Sequence, residues 1–455
     1  MFSVFKDKQF IRKLWILALP ITIQSFITSS LNLIDNLMVG RLGEEAIAAV
    51  GLANQYIFIF NLCITGVNAG ASVFMAQFWG KKDLPNIKKI LGLDIVVGLA
   101  VALLFGFGAI VTPEAIMSIL SKDQNVIALG TSYLLVVGIS CLFSSFTQAY
   151  SSALRSTEQV KVPMYASLIG VGINAFLNWI LIFGMFGMPS LGVVGAALAT
   201  TIARLIEMIY IVSYVYISKN KIAGKLKDLL SFDKHLVKIY FKTSWPVIVN
   251  EIVWSVGITA YSVAYAQIGT NAVATMQIAT TLNNVFTVLL VGMAIATSIM
   301  VGNHIGAGQE DEARSCAKNI GILTPIMSIV VGAVIFITAP IVLKLFNVTP
   351  ETYSDTIDIL RIMALFLPIR TFNMVMIVGV FRGGGDTTYS MLVQAGTVWL
   401  YSVPLAFIGA VVWQLPIQLV YILICSEECI KIWFELRRLK NGKWIKNIIH
   451  DTTLS

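Results

Sequence analysis

The residues able to do chemistry in this chain are oxygen ligands set in apolar sequence. From Pro20 to Arg41 it reads PITIQSFITSSLNLIDNLMVGR, and Asp35 lies well inside that run. Ser25, Thr28, Ser29, Asn32, Asp35 and Asn36 recur at three- and four-residue steps, which on a helix forms one stripe. A charge at the bilayer centre costs roughly 3 kcal/mol or more, so such an acid faces a bundle interior or a water-filled cavity, and function is the default reading. A carboxylate paired to a neighbouring helix for structure alone is the other reading. Asn174 and Asn178 are four apart on a later apolar run, and Thr200 and Thr201 lie on the next. Counted from the ends of these runs at 1.5 Å per residue, Asp35 is about five residues in, Asn178 about six, Thr200 about eight and Asn174 about ten, so the four can meet. One carboxylate, two amide oxygens and a hydroxyl are hard ligands, suited to a small hard cation and poor for soft metals. Asparagines that only bond helices together are the plainer alternative. The carboxylate can instead take a proton, so Na⁺ and H⁺ would compete for one group, and both ions stay open.

A second acid, Glu251, follows Asn250, and Trp254, Tyr261 and Tyr265 share its helix face. An acid beside aromatics suits an organic cation, through charge pairing and attraction to ring faces. A structural partner such as Arg370 is the competing role for Glu251. Arg204 and Glu207, three apart, read as a structural pair, and Glu427 and Glu428 fall near the end of the last apolar run. Arg382-Gly-Gly-Gly-Asp386 resembles a phosphate loop only superficially: it lacks the GK[ST] ending and follows no strand, so it reads as a helix–turn–helix junction. Cys63, Cys141, Cys316, Cys425 and Cys429 form no disulfide framework, and His235, His304 and His450 form no metal cluster with them. With no Ser–His–Asp set and no nucleotide motif, an enzyme is not expected.

The elements that position these residues are membrane spans. The 455 residues are 57 % hydrophobic and only 12 % charged, against about 25 % charge in soluble domains. The net charge of +8 resides in loops between apolar runs and is no sign of nucleic-acid binding. At about 20 apolar residues per span, twelve spans are expected, over 13–39, 45–78, 87–111, 125–153, 161–184, 192–217, 236–267, 271–303, 316–345, 354–381, 388–411 and 415–437. Glycine and proline breakers separate them, at Gly40–Gly43, Gly80 to Pro85, Pro113, Gly184 to Gly192, Gly306 to Gly308, Pro350 and Gly383–Gly385. Lysine and arginine concentrate in every second loop, while the alternate loops hold only Arg41, Lys122 and Lys344. The bias predicts both termini in the cytoplasm. The basic start, including Lys6, Lys8, Arg12 and Lys13, reads as a short interfacial segment before an uncleaved first span.

The chain also repeats itself. A shift of 226 places Pro20 on Pro246, Gly43 on Gly269, Ala46 on Ala272, Ala48 on Ala274, Phe60 on Phe286, Gly66 on Gly292 and Gly80 on Gly306. A shift of 227 places Arg155 on Arg382 and Met164 on Met391. Two six-span halves of equal orientation imply a parallel repeat about an axis along the membrane normal, a layout of secondary transporters. The expected organisation is an interfacial segment 1–12, an N-lobe 13–217, a lysine-rich linker 218–235, a C-lobe 236–437 and a tail 438–455. The halves are not chemically equal, because Tyr261 stands opposite Asp35 and Tyr401 opposite Asn174.

The stretches ALP…Q…D…VGRLGEEAIAAVGLANQ in 18–55, ALR…VP…N…N…FG…LGVVGAALAT in 153–200 and GVFRGGGDT in 379–387, in that order and with the six-plus-six repeat, resemble the MATE (multidrug and toxic compound extrusion) transporters over nearly the whole chain. The resemblance implies an all-α membrane protein: twelve helices in two pseudo-symmetric six-helix lobes, arranged as a V that alternates between outward- and inward-open states. It implies export of cationic or amphipathic organic compounds by antiport with Na⁺ or H⁺, in the cell (inner) membrane, by a monomer with no cofactor beyond the coupling ion. It maps the family's N-lobe cation site onto Asp35, Asn174, Asn178 and Thr200, and leaves Glu251, Trp254, Tyr261 and Tyr265 as the candidate substrate surface. Some branches carry an acid in span 7 and another in span 10; here span 10 offers Thr371 and Asn373, and Glu251 stands about a turn from the usual place. A lipid-linked precursor flippase of related fold is the alternative, and it would favour several arginines for a pyrophosphate. A channel or receptor fits a repeated two-lobe bundle with one buried ion site less well.

Overall fold

The computed structural model describes residues 7–344 and 349–450, without the side chains of Asn32 and Leu33. Lys6 and the rest of the start of segment 1–12, the Asn32 side chain and the last residues of the tail therefore lie outside the described residues. The described elements are all helical. Eleven of the described helices are long and apolar enough to cross a membrane: α1 (Lys8–Gly40), α2 (Glu44–Lys81), α3 (Leu84–Val111), α4 (Gln124–Ser156), α5 (Lys161–Phe183), α6 (Gly192–Ile217), α7 (Lys234–Ile268), α8 (Thr270–Gly306), α9 (Glu310–Leu343), α10 (Pro350–Phe381) and α11 (Thr387–Val412). The twelfth expected span is built from two pieces, α12 (Ile417–Cys425) and α13 (Glu427–Asn441). Ser426 between them keeps helical dihedrals (φ −62°, ψ −22°), so the run continues while its character changes from apolar to charged.

The helix ends follow local chemistry. The Asp83 carboxylate accepts from Asn86 N at 3.2 Å to start α3, and Asp123 accepts from Asn125 N at 2.9 Å and Val126 N at 3.3 Å to start α4. Each occupies amide groups that a helix start leaves without partners. Gly43 (φ +114°) and Gly269 (φ +149°) precede α2 and α8 in backbone conformations closed to most side chains; they are the same position of the repeat.

The described residues divide into two compact units. One is Ile23–Ser244. In it α2, α3 and α4 pack on one another, α6 packs on α4, and α5 packs on α6. One end of its core joins Val39, Ala49, Val50 and Ala53 to Ala109, Leu134, Ile182 and Ala197. Near its other end Tyr240, at the start of α7, is fully buried and stacks on Phe74. Its hydroxyl lies 3.5 Å from both the Val67 carbonyl and the buried carboxylate of Asp94.

The other unit is the chain up to Thr22 together with everything from Trp245. Here α8, α9 and α10 pack together, and α13 packs on α10 and α11. Leu14, Leu17, Ala18 and Ile21 of α1 are buried in this unit. Gly292 of α8 leaves no room for a side chain against Ala18 and Thr22. Both unit boundaries fall inside helices, α1 and α7, rather than at the ends of the linker 218–235. The physical reason is close packing: the first turns of each lobe's leading helix fit the other unit, α1 at Gly292 and α7 at Gly70, where a side chain would overlap Ser244. The repeat also shows in side-chain-free crossings. A Cβ on Gly106 would come within 3.0 Å of the Gly138 carbonyl, and one on Gly332 within 2.9 Å of the Ala364 carbonyl; both residues of the first pair carry over to the second at the shift of 226.

The Arg382–Asp386 stretch is the expected junction between helices. Gly385 takes φ +83°, and Asp386 is fully buried beneath Arg438 (2.7 Å) and Lys446 (2.6 Å). A Cβ on Gly384 would meet the carbonyl oxygen of buried Trp444 at 2.6 Å. The Lys446 amide donates to the Gly384 carbonyl at 2.8 Å, so the tail after α13 closes over the glycine turn.

Candidate functional site

The Ile23–Ser244 unit brings the four expected cation ligands into one chain of hydrogen bonds. Asn178 donates to the Asp35 carboxylate and, at 2.9 Å, to the Asn174 amide oxygen. Asn174 in turn donates to the Thr200 hydroxyl at 3.2 Å. Three helices meet here, each supplying part of the set: Asp35 on α1, the four-spaced asparagines on α5 and Thr200 on α6. Asn174 and Asn178 are each 1 % exposed. The stripe on α1 splits: Thr28 lines a cavity at the bundle interior, whereas Ser29 and Asn36 are exposed.

One atom of this set is unsatisfied. The Asn178 amide oxygen is buried with no donor among the described residues, and leaving a buried acceptor unmatched costs about 1–3 kcal/mol. An oxygen that wants a positive partner, beside a carboxylate, fits a small hard cation. Among the described residues no group of three or more His, Cys, Asp or Glu side chains could hold a metal, so the chemistry here is that of one charge among neutral oxygens. The adjoining cavity of about 10 Å³, lined by Thr28, Ser167, Asn174, Thr200, Arg204 and Glu207, has room for about one water.

A second polar group lines the same cavity, and the sequence shows only part of it. Arg204 pairs with Glu207 at 2.8 Å, as the three-residue spacing predicted. Glu207 also accepts from Ser167 at 3.1 Å, and Ser167 accepts from Gln24 at 3.0 Å. Arg155 reaches Gln24 at 3.4 Å. The missed signal was the register Gln24–Thr28–Asp35 on α1, which continues the stripe through Gln24 rather than Ser25.

The α7 set is not gathered into one surface. Glu251 pairs with Arg382 at 2.7 Å, its side chain 18 % exposed and that of Arg382 8 %. The partner is thus Arg382 of the glycine turn and not Arg370. Trp254 is exposed, Tyr265 is buried, and the Tyr261 hydroxyl points to Glu427 at 3.5 Å. Glu427 and Glu428, placed near a span end from sequence, lie inside the unit. Lys431 sits 2.8 Å from Glu427 and 3.6 Å from Glu428. Asn373 of α10 donates to the Glu428 carboxylate at 2.7 Å. Tyr401, in a widened turn of α11, shares a hydrogen bond with Ser426 at 3.1 Å. One turn past Lys431, Glu435 is fully buried and neither of its carboxylate oxygens has a donor among the described residues.

A bundle of spanning helices built twice, with a hard-oxygen set inside one copy, defines a membrane transporter assembled from repeats. The MatE family model matches residues 20–180 and 246–408, and the chain belongs to the MatE family. Those two blocks are the two copies of the repeat. The chain is 26 % identical over 407 residues to the probable multidrug resistance protein YoeA of Bacillus subtilis, covering 87 % of this chain and 86 % of that protein. It is 22 % identical over 440 residues to the probable multidrug resistance protein NorM of Thermotoga maritima, covering 95 % and 93 %. A solved structure described as the outward-facing conformation of a multidrug resistance MATE family transporter superposes with a TM-score of 0.86, at 21 % identity over 95 % of this chain and 96 % of that one. The all-helical twelve-span fold in two pseudo-symmetric lobes is therefore that of the MATE transporters, and the protein is a multi-pass membrane transporter rather than an enzyme.

Proposed function

We propose that this protein is a secondary active exporter of cationic or amphipathic organic compounds, driven by entry of Na⁺ or H⁺ that binds at Asp35. The observation that carries the reading is the Asp35–Asn178–Asn174–Thr200 chain with its unmatched Asn178 oxygen. The names of the similar multidrug resistance proteins support the substrate class. A cation or proton bound there neutralises the one carboxylate of the set. The chain's own residues do the rest: Asn178 orients Asp35 and offers its free oxygen, Asn174 fixes Asn178, and Thr200 fixes Asn174 while tying α5 to α6.

Coupling needs no contact between ion and substrate. Each has only to bind the two states of the lobes unequally, and linkage then makes the effect reciprocal. Trp254 is the exposed aromatic of the candidate substrate set, with Glu251, Tyr261 and Tyr265 on the same helix. The transporter acts as a monomer in the cell membrane, with both termini and the linker 218–235 in the cytoplasm, as the loop charges require. The test is dye efflux from proteoliposomes under an imposed Na⁺ or H⁺ gradient. Efflux that follows one of these gradients supports antiport, and flux indifferent to both overturns it. A Cys at position 225 labelled from outside the cell would overturn the orientation.

A further inference from the structure

The repeat relates Asp35 to Tyr261 and Asn174 to Tyr401. In the unit that holds them, Tyr261 reaches Glu427 and Tyr401 reaches Ser426, the residue before it. The place that repeats the Asp35 set is therefore not empty of charge. Its acid has moved from the first helix of the lobe to the last, and it arrives with a cation attached. Lys431 is one turn along α13 from Glu427, its side chain is 6 % exposed, and its ammonium bonds Glu427 at 2.8 Å and lies 3.6 Å from Glu428. The N-lobe arranges its own basic residue differently. Arg204, one turn beyond Thr200, turns onto Glu207, and Asp35 is left with a neutral amide partner and no ion pair among the described residues.

We propose that Lys431 is the resident cation of the C-lobe's copy of the ion site: its tethered ammonium takes the place that an exchangeable ion takes at Asp35. An ammonium and a hydrated alkali ion are both compact unit charges that satisfy carboxylate oxygens, and one held on the same helix cannot leave. The consequence is functional. Only one lobe exchanges an ion, so each transport cycle moves one coupling ion, and the C-lobe stays free of the gradient. The inference rests on reading the Asp35 set as the exchangeable site.

The test is binding of radiolabelled sodium to purified protein at alkaline pH, where proton competition is weak, in an Asp35→Asn background. Loss of binding in Asp35→Asn alone tests the N-lobe reading. The separate expectation is that adding Lys431→Ala, which removes the ammonium and leaves its volume open, gains sodium binding near one ion per chain. Lys431→Met, which fills the volume, gains none. A folded Lys431→Ala variant that binds no more sodium than its Asp35→Asn parent overturns the proposal. Should Lys431→Ala not accumulate, Lys431→Ser, which also leaves the volume open, carries the same test in the Asp35→Asn background by melting in detergent. A Tm raised by sodium over choline at equal ionic strength supports the resident cation, and equal Tm overturns it.

Discussion

Asp35 and Glu251 looked alike as isolated acids in apolar sequence, and the structure separates them by partner. Asp35 has one neutral amide, that of Asn178, which keeps an oxygen to spare; Glu251 has a buried guanidinium. Asp35→Asn keeps the shape and most hydrogen bonds while removing the charge. It should abolish active export yet leave folding and dye binding largely intact, and the dye affinity should lose its dependence on sodium and pH. Retention of the wild-type ion dependence, measured by dye binding in detergent, would make Asp35 structural. Glu251→Gln should do something else. It strands Arg382, and breaking one side of a buried ion pair costs about 3–5 kcal/mol. A lowered melting temperature is expected, recovered in the Glu251→Leu/Arg382→Met pair, and an unshifted one would mean that water reaches Arg382. The four-residue spacing of Asn174 and Asn178 and their shared depth with Asp35 made the N-lobe site legible in the sequence. The partner of Glu251 was not, because Arg382 lies 131 positions further on, and no spacing rule within a helix reaches across α7 to a turn after α10.

At the scale of elements, the glycines report where backbones touch. A side chain on Gly92 of α3 would overlap the Leu229 carbonyl of the short helix Leu226–Leu229. Gly92→Ala should lift that helix off α3, seen as faster hydrogen exchange over 226–230 with the rest of α3 unaffected. Unchanged exchange would show that the linker accommodates the methyl group. α13 allows a sharper expectation. A buried carboxylate with no donor is costly in ionised form, so Glu435→Gln should leave the Tm unchanged or raise it, whereas Lys431→Met should lower it. A Tm drop with Glu435→Gln would reveal a partner for that side chain. Hydropathy located the spans well because bilayer thickness dictates their length. It said less about span 12, since hydropathy counts a buried Glu–Lys ladder as surface and cannot tell that α13 packs against α10 and α11.

At the scale of the whole molecule, the repeat was readable as a shift of 226 because glycines at helix crossings tolerate few substitutes, and Gly106 and Gly332 show the same crossing twice. What the shift could not say is which turns pack with which unit. The segment ending at Thr22 is assembled with residues from Trp245 onward, and Tyr240 to Ser244 with the preceding bundle. This ordering bears on how the protein is made. The first turns off the ribosome must wait until the second half of the chain is synthesised, and the glycine turn at Arg382–Asp386, though its own wait is shorter, is closed last, when Trp444 and Lys446 arrive. A gene cut between residues 233 and 234 would thus yield two fragments, each carrying a piece that belongs with the other. Neither should persist in the membrane when expressed alone, and co-expression should restore both, with export activity. A first fragment that is equally long-lived with and without its companion would show that those early turns find another place to pack.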